Sequence, residues 1–218
     1  MLEVKDATIA VGDKVIARNL SFTAMDGELT CVSGSEGSGK SALLRTLMGF
    51  LPVSEGFVSV AGELLTSAAA HAFRRMRCYL PQEMQMLRHQ LTVPEPVALD
   101  LWSFATIGRQ EGSRASTSSA TAIEEEYTIW NSVWPMANKE TIPEPLNADE
   151  LFALTEQTLN EAANKPIIIA DEPTAHLSPE LAIRMIQLLK AQAQVGKTVL
   201  VASKSPQVAD YADKIIQL

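Results

Sequence analysis

Apolar positions at the amino terminus fall into short, evenly broken runs. LEVKDATIAV and KVIARNLSFTA alternate apolar with polar residues and are interrupted by Gly-Asp and Asp-Gly, the pattern of strands joined in hairpins. ELTCVSG, Glu28 to Gly34, predicts a buried strand running into a glycine-rich turn. SALLRTLMGFL then carries Leu43, Leu44, Leu47, Met48 and Leu51 at helical spacing, with Pro52 as the expected stop. GFVSVAGELL predicts a further hairpin. Past MRCYLPQE the texture changes: Pro94 and Pro96 are followed by GRQEGSRASTSSATA, Gly108 to Ala122, which lacks periodicity and reads as a mobile loop. Regular pattern returns with a helix over Asp149 to Asn164, a buried strand in PIIIADEP, an amphipathic helix in PELAIRMIQLLKAQA and a last clear core strand in KTVLVASKS, Lys197 to Ser205. Strands and helices alternating in this way predict an α/β fold with a mostly parallel sheet covered by helices.

Composition narrows the picture. At 218 residues and 46% hydrophobic, the chain can build one substantial core without disulfides or metals. Its 18 basic and 26 acidic residues give a net charge of −8, and no Lys/Arg cluster tracks a phosphodiester backbone, so no nucleic-acid partner is expected. Cys31 and Cys78 lack the spacing of a zinc site or a disulfide framework and read as buried free thiols of a reducing compartment. MLEVKDATIAVGDK carries charges too early for a signal peptide, and no apolar run reaches membrane-spanning length. The expectation is a soluble, cytoplasmic chain whose seat on a membrane, if it has one, is supplied by a partner.

The strongest chemistry lies in GSEGSGKSA. Gly34, Gly39, Lys40 and Ser41 satisfy GxxxxGK[ST], between a predicted strand and a predicted helix as that motif requires. Glycines let the backbone wrap closely enough for its N–H groups to face phosphate oxygens, and the helix amino terminus adds partial positive charge. The candidate phosphate-cradling residues are Gly34, Ser35, Glu36, Gly37, Ser38, Gly39, Lys40, Ser41 and Ala42, with Lys40 on the terminal phosphates of ATP and Ser41 on Mg²⁺. Glu36 has two orientations open to it: outward as a solvated carboxylate, the preferred one, or inward, opposing the triphosphate. IIIADE supplies the complement, an apolar strand delivering two carboxylates at its end. Asp171 can hold Mg²⁺, and Glu172 can orient and deprotonate an attacking water.

GSEGSGKS, YLPQE, IIIADEPTAHLSPE and VLVASKSPQVADYADKIIQL together resemble the ATP-binding-cassette (ABC) transporter ATPases. The resemblance implies a single nucleotide-binding domain over residues 1–218, with a P-loop NTPase core, an amino-terminal antiparallel β subdomain and a helical subdomain inserted at about 84–148. That insert would hold the loop at 108–122. It implies that Gln82 of YLPQE contacts Mg²⁺ and the attacking water and couples to an integral membrane permease. The implied catalytic set is Glu172, Gln82 and Lys40, the metal set Ser41, Gln82 and Asp171, and the implied partners are that permease and a second ABC-type subunit, in a homodimer or a heterodimer.

Four positions depart from the family pattern. Val11 stands where an aromatic ring would stack on adenine. LNADELFAL, Leu146 to Leu154, stands in place of the LSGGQ signature; it has no glycine, and Asp149 and Glu150 would present carboxylates to a partner's phosphate. Ser178 replaces an aspartate expected across the dimer, beside His176, which reads as a surface or capping residue. Ser203 occupies the position assigned to a histidine on the γ-phosphate, and losing such a contact costs on the order of 10²–10³ in rate.

Two functions follow. One is an ATP-binding subunit of an ABC transporter or related membrane complex, peripheral to the inner face of the membrane, with weak or partner-dependent hydrolysis. The alternative is a non-hydrolysing pseudo-ATPase that scaffolds or regulates a membrane protein. A chromosome-associated or DNA-repair ATPase is disfavoured, because the 66 residues from Glu83 to Ala148, with their prolines and serines, cannot form a long coiled coil.

Overall fold

The structure is a computed structural model that describes residues 1–11, 14–82, 84 and 146–218. The expected helical insert at about 84–148 and its loop at 108–122 lie almost wholly outside the described residues.

The amino-terminal alternation builds an antiparallel sheet. β1 (Leu2–Val11) pairs with β2 (Lys14–Ala24) on one side and with β4 (Glu55–Val60) on the other, and β4 pairs with the short β5 (Glu63–Leu64). Its order is β2-β1-β4-β5. One face of this sheet is buried, as the period-two pattern requires.

The second sheet is parallel, in the order β6-β7-β8-β3-β9. It comprises β3 (Leu29–Ser33), β6 (Arg77–Leu80), β7 (Ile167–Asp171), β8 (Thr198–Ser203) and β9 (Lys214–Gln217). β7 and β8 are buried at every position, because helices and the other sheet cover both faces. β9 was not distinguished as a strand by its sequence: KIIQ has only four residues, and pairing with β3 makes it one.

The helix α1 (Lys40–Leu47) lies between the two sheets. Leu43, Leu44 and Leu47 join Val4 and Ile9 of β1, Val58 of β4, and Ile167 and Ile169 of β7 in one core cluster. The helix ends earlier than Pro52. Gly49 (φ 74°) donates to the Thr46 carbonyl and Phe50 donates to that of Arg45, a Schellman closure that the left-handed glycine permits. The opposite face of the parallel sheet is covered by α4 (Pro179–Gln194), whose Met185, Ile186 and Leu189 are buried. Beside it lies α3 (Ala148–Glu161), and the Arg184 guanidinium of α4 sits 4.7 Å from the Phe152 ring centre of α3. Two short helices complete the described fold, α2 (Ala70–Arg75) before β6 and α5 (Pro206–Tyr211) before β9. No helix among the described residues is long and apolar enough to cross a membrane.

Candidate functional site

The carboxyl ends of three adjacent parallel strands make the site. β3 runs into the loop at 34–39, β7 ends at Asp171, and β8 lies between them. Register fixes what meets: Ser33 stands opposite Ser203, and Asp171 opposite Ala202. Gly34, Glu172 and Lys204 therefore leave the sheet side by side.

The loop is built around space that only glycine leaves. A Cβ on Gly34 would lie 2.5 Å from Ser38 Oγ, and one on Gly39 would lie 1.8 Å from Ile16 Cγ2. Gly39 also has φ 100°, which a side chain resists. It begins α1 without a side-chain cap, so the first N–H groups of the helix are left for an anion. Ile16 was not singled out by the sequence. It comes from β2 and packs on the loop from the antiparallel sheet.

Lys40 is 7% exposed and folds back into its own loop. Its ammonium donates to the carbonyls of Gly34 (2.8 Å) and Ser35 (3.0 Å) and lies 3.5 Å from Glu172 Oε1. Glu36 points outward, its side chain 92% exposed, as the preferred orientation had it.

Asp171 is 4% exposed, and its Oδ1 has no hydrogen-bond partner among the described residues. Burial pushes its carboxyl above the usual range; the Ser41 hydroxyl opposes this, and the Glu172 charge adds to it. A buried carboxylate oxygen left unsatisfied next to a hydroxyl is a donor set that a divalent cation fits, and Asp171 with Ser41 supply hard oxygen ligands suited to Mg²⁺.

Glu172 adopts φ 46°, unusual for a side-chain-bearing residue, while its N–H still donates to the Ala202 carbonyl at 2.8 Å. Its carboxylate accepts from Ser203 Oγ (3.2 Å to Oε2) and from the Lys204 N–H (3.1 and 3.2 Å to the two oxygens). Ser203, expected to face a phosphate, is fully buried and directs its hydroxyl to Glu172 instead. The side chain that runs from the end of β8 toward the loop is that of Lys204, with its ammonium 3.9 Å from Glu36 Oε2. Glu172 and the exposed Gln82 line a cavity of about 10 Å³ with Leu80, Leu151 and Thr155, enough for about one water.

The remaining departures have local explanations. Asn147 and Glu150 form a reciprocal capping box at the start of α3, each side chain accepting from the other's backbone N–H at 2.9 and 3.1 Å. The Glu150 carboxylate is thus bonded to the backbone at the start of its own helix. Ser178 caps α4, accepting from Leu181 N–H at 3.3 Å. His176 is an exposed turn residue at φ 65°. Cys31 and Cys78 are buried free thiols; burial, reinforced by the Glu172 charge, pushes Cys31 up to about 11.

Strand, glycine loop and helix on one side, with paired carboxylates from a nearby strand, define a P-loop nucleotide-binding fold. Residues 17–175 match the family profile described as ABC transporter, and the chain belongs to that family. It is 29% identical over 218 residues to the hemin import ATP-binding protein HmuV of Shewanella denitrificans, covering 99% of this chain and 83% of that protein. It is 29% identical over 220 residues to the manganese transport system ATP-binding protein MntB of Listeria monocytogenes, covering 100% of this chain and 86% of that one. The solved ATP-binding cassette MJ0796, in a dimeric post-hydrolysis state bound to ADP and Pi, superimposes with a TM-score of 0.65 at 23% identity, over 100% of this chain and 94% of that one. That likeness is one of fold. The α/β P-loop architecture and the transporter ATP-binding subunit expected from the sequence agree with these findings.

Proposed function

We propose that the chain binds Mg-ATP in the loop of residues 34–42 and drives a membrane transport complex, with hydrolysis slow unless another subunit completes the site. The observation that carries this reading is the meeting of Lys40, Asp171 and Glu172 beside the uncapped start of α1, with one Asp171 oxygen unsatisfied. The backbone N–H groups from Gly34 to Ala42 hold the phosphates, and Lys40 exchanges the Gly34 and Ser35 carbonyls for the terminal phosphates. Ser41, Asp171 and Gln82 would hold Mg²⁺, which would offset the charge on the phosphate oxygens. Glu172 takes a proton from a water as the water oxygen attacks the terminal phosphorus. The bond to the bridging oxygen breaks, releasing ADP and phosphate.

Two features support dependence on a partner. The first turn of α3 is acidic and glycine-free, a poor surface to offer the phosphate of a facing subunit. Ser203 spends its hydroxyl on Glu172. A second ABC-type subunit and an integral membrane permease, at the cytoplasmic face of the membrane, complete the assembly in this reading. The names of the two relatives carry different cargo, hemin and manganese, which fits cargo being chosen by the permease.

Steady-state ATPase activity and equilibrium binding of Mg-ATP test the proposal. Expected are measurable Mg-ATP affinity abolished by Lys40→Ala, very low turnover of the isolated chain, and complete loss of that turnover in Glu172→Gln with binding retained. Robust hydrolysis by the chain alone overturns the dependence on a partner. Failure to bind Mg-ATP below the order of millimolar, unchanged by Lys40→Ala, leaves the non-hydrolysing scaffold as the reading.

A further inference from the structure

Arg77 opens β6, opposite Ile167 at the start of β7, and is 2% exposed. None of its guanidinium nitrogens has a hydrogen-bond partner among the described residues. Its Cζ lies 5.4 Å from the Phe73 ring centre, and a ring offers the charge a π face but no oxygen for the N–H donors. A second cation deepens the deficit. Arg74 donates to the Gly49 carbonyl at 3.2 Å and lies 5.1 Å from the Phe50 ring centre. Burial, and then the Arg74 charge, pull Arg77 down to about 10, which leaves it ionised at neutral pH.

The surrounding sequence supplies no counter-ion. Between Glu63 and Glu83 there is no aspartate or glutamate, whereas His71, Arg74, Arg75 and Arg77 all fall there, in a chain whose net charge is −8. Positive charge is thus concentrated where α2 meets β6, and Arg75 and Met76 of that turn are exposed. A buried, ionised guanidinium without an anion destabilises its fold; with a carboxylate on its fork, the same group becomes an anchor. One carboxylate balances one guanidinium and matches its paired N–H groups, whereas a water leaves the charge in place.

The cover over Arg77 is slight. α2 has six residues and no side-chain cap at its amino end, and its Phe73 lies against the guanidinium. An uncompensated charge beneath so short a helix lowers the free energy of lifting it, and local opening is the route in.

We infer that Arg77, beneath α2, is a carboxylate-binding site, and that its ligand is a Glu or Asp side chain presented by a partner protein on the face bearing Arg75 and Met76. The exposed cation and thioether at the mouth suit a peptide segment that carries an acid beside apolar residues. The site stands apart from the loop of residues 34–42 and does not depend on the ATP-binding reading.

The probe is N-acetylglutamate amide, a Glu side chain in peptide form, with N-acetylglutamine amide as the uncharged control, each at about 0.1 M and at equal ionic strength. The glutamate amide is expected to raise the melting temperature of the full chain by about 2–4 °C over the control, without nucleotide. In Arg77→Met that difference is expected to vanish. In Arg77→Lys, which keeps the charge and loses the fork, about half of it or more is expected to go, and this variant carries the test if Arg77→Met does not fold. No difference in the wild type, or the same difference in Arg77→Met, overturns the inference. So does a full shift in Arg77→Lys, because any cation would then serve. Hydrogen exchange tests the cover: the amides of residues 70–76 are expected to exchange about tenfold more slowly in Arg77→Met than in the wild type. Unchanged rates would remove the route in, and the site with it.

Discussion

At Gly39 the backbone turns through φ 100° with the Ile16 side chain packed where a Cβ would stand, so conformation and space both select glycine. Gly39→Ala forces a left-handed alanine and displaces Ile16. It is expected to lower stability by about 2 kcal/mol or more and to weaken Mg-ATP binding with it. Urea unfolding and calorimetric binding check this, and an unaltered midpoint would count against the contact. Glu172 shows the complementary case, a positive φ carried by a residue that is not glycine. Its cost is met because the Ala202 carbonyl, Ser203 hydroxyl and Lys204 N–H all hold the residue in that conformation.

Among the elements, β6 is an edge strand that delivers Gln82 to the site, and it carries an unusual burden. Arg77 is 2% exposed, and none of its guanidinium nitrogens has a hydrogen-bond partner among the described residues. Burial, with the Arg74 charge behind it, pulls Arg77 down to about 10, so it is still charged at neutral pH. Stacking 5.4 Å from the Phe73 ring centre offsets only part of this. Arg77→Met keeps the length and removes the buried charge. It is expected to raise stability by about 1–3 kcal/mol, read from the urea midpoint, and a destabilised variant would refute the unpaired state of the guanidinium. The flanking sequence RRMRCYLPQE gives no hint of this, because three arginines near a strand start read as solvated until the position of α2 covers one of them.

Across the whole molecule, Asp213 joins elements distant in sequence. It accepts from Lys190 of α4 at 2.5 Å and from the Leu29 N–H of β3 at 2.8 Å, at the point where the chain enters β9. Lys190 foremost, then the Leu29 N–H, holds its carboxyl below the usual value of 3.8. Since the folded value is depressed, this contribution is fully present above pH 3.8 and is lost as pH falls through the lower folded value. Asp213→Asn is therefore expected to melt below the wild type at pH 7, with the gap closing in strong acid. Thermal melts across pH check this, and a gap independent of pH would remove the carboxylate from the explanation.

The sequence by itself determined the loop and the acidic pair. Lys40 with Ser41, and Asp171 with Glu172, are contiguous because each turn must present its groups within a few residues, and their apolar flanks announce the strands that carry them. It also announced the amino-terminal hairpins, whose alternation has a period no helix shares. What only the tertiary structure decided is everything set by strand register and by contact between sheets. The order β7-β8-β3 puts Ser203 and Lys204 beside Glu172, packing of the antiparallel sheet sets Ile16 on Gly39, and pairing with β3 turns four residues near the carboxyl end into a strand. The physical reason is the same for each. Motifs bind through neighbours along the chain, which sequence displays, whereas these residues act through neighbours across the sheets, and a shift of one residue in register would have chosen others.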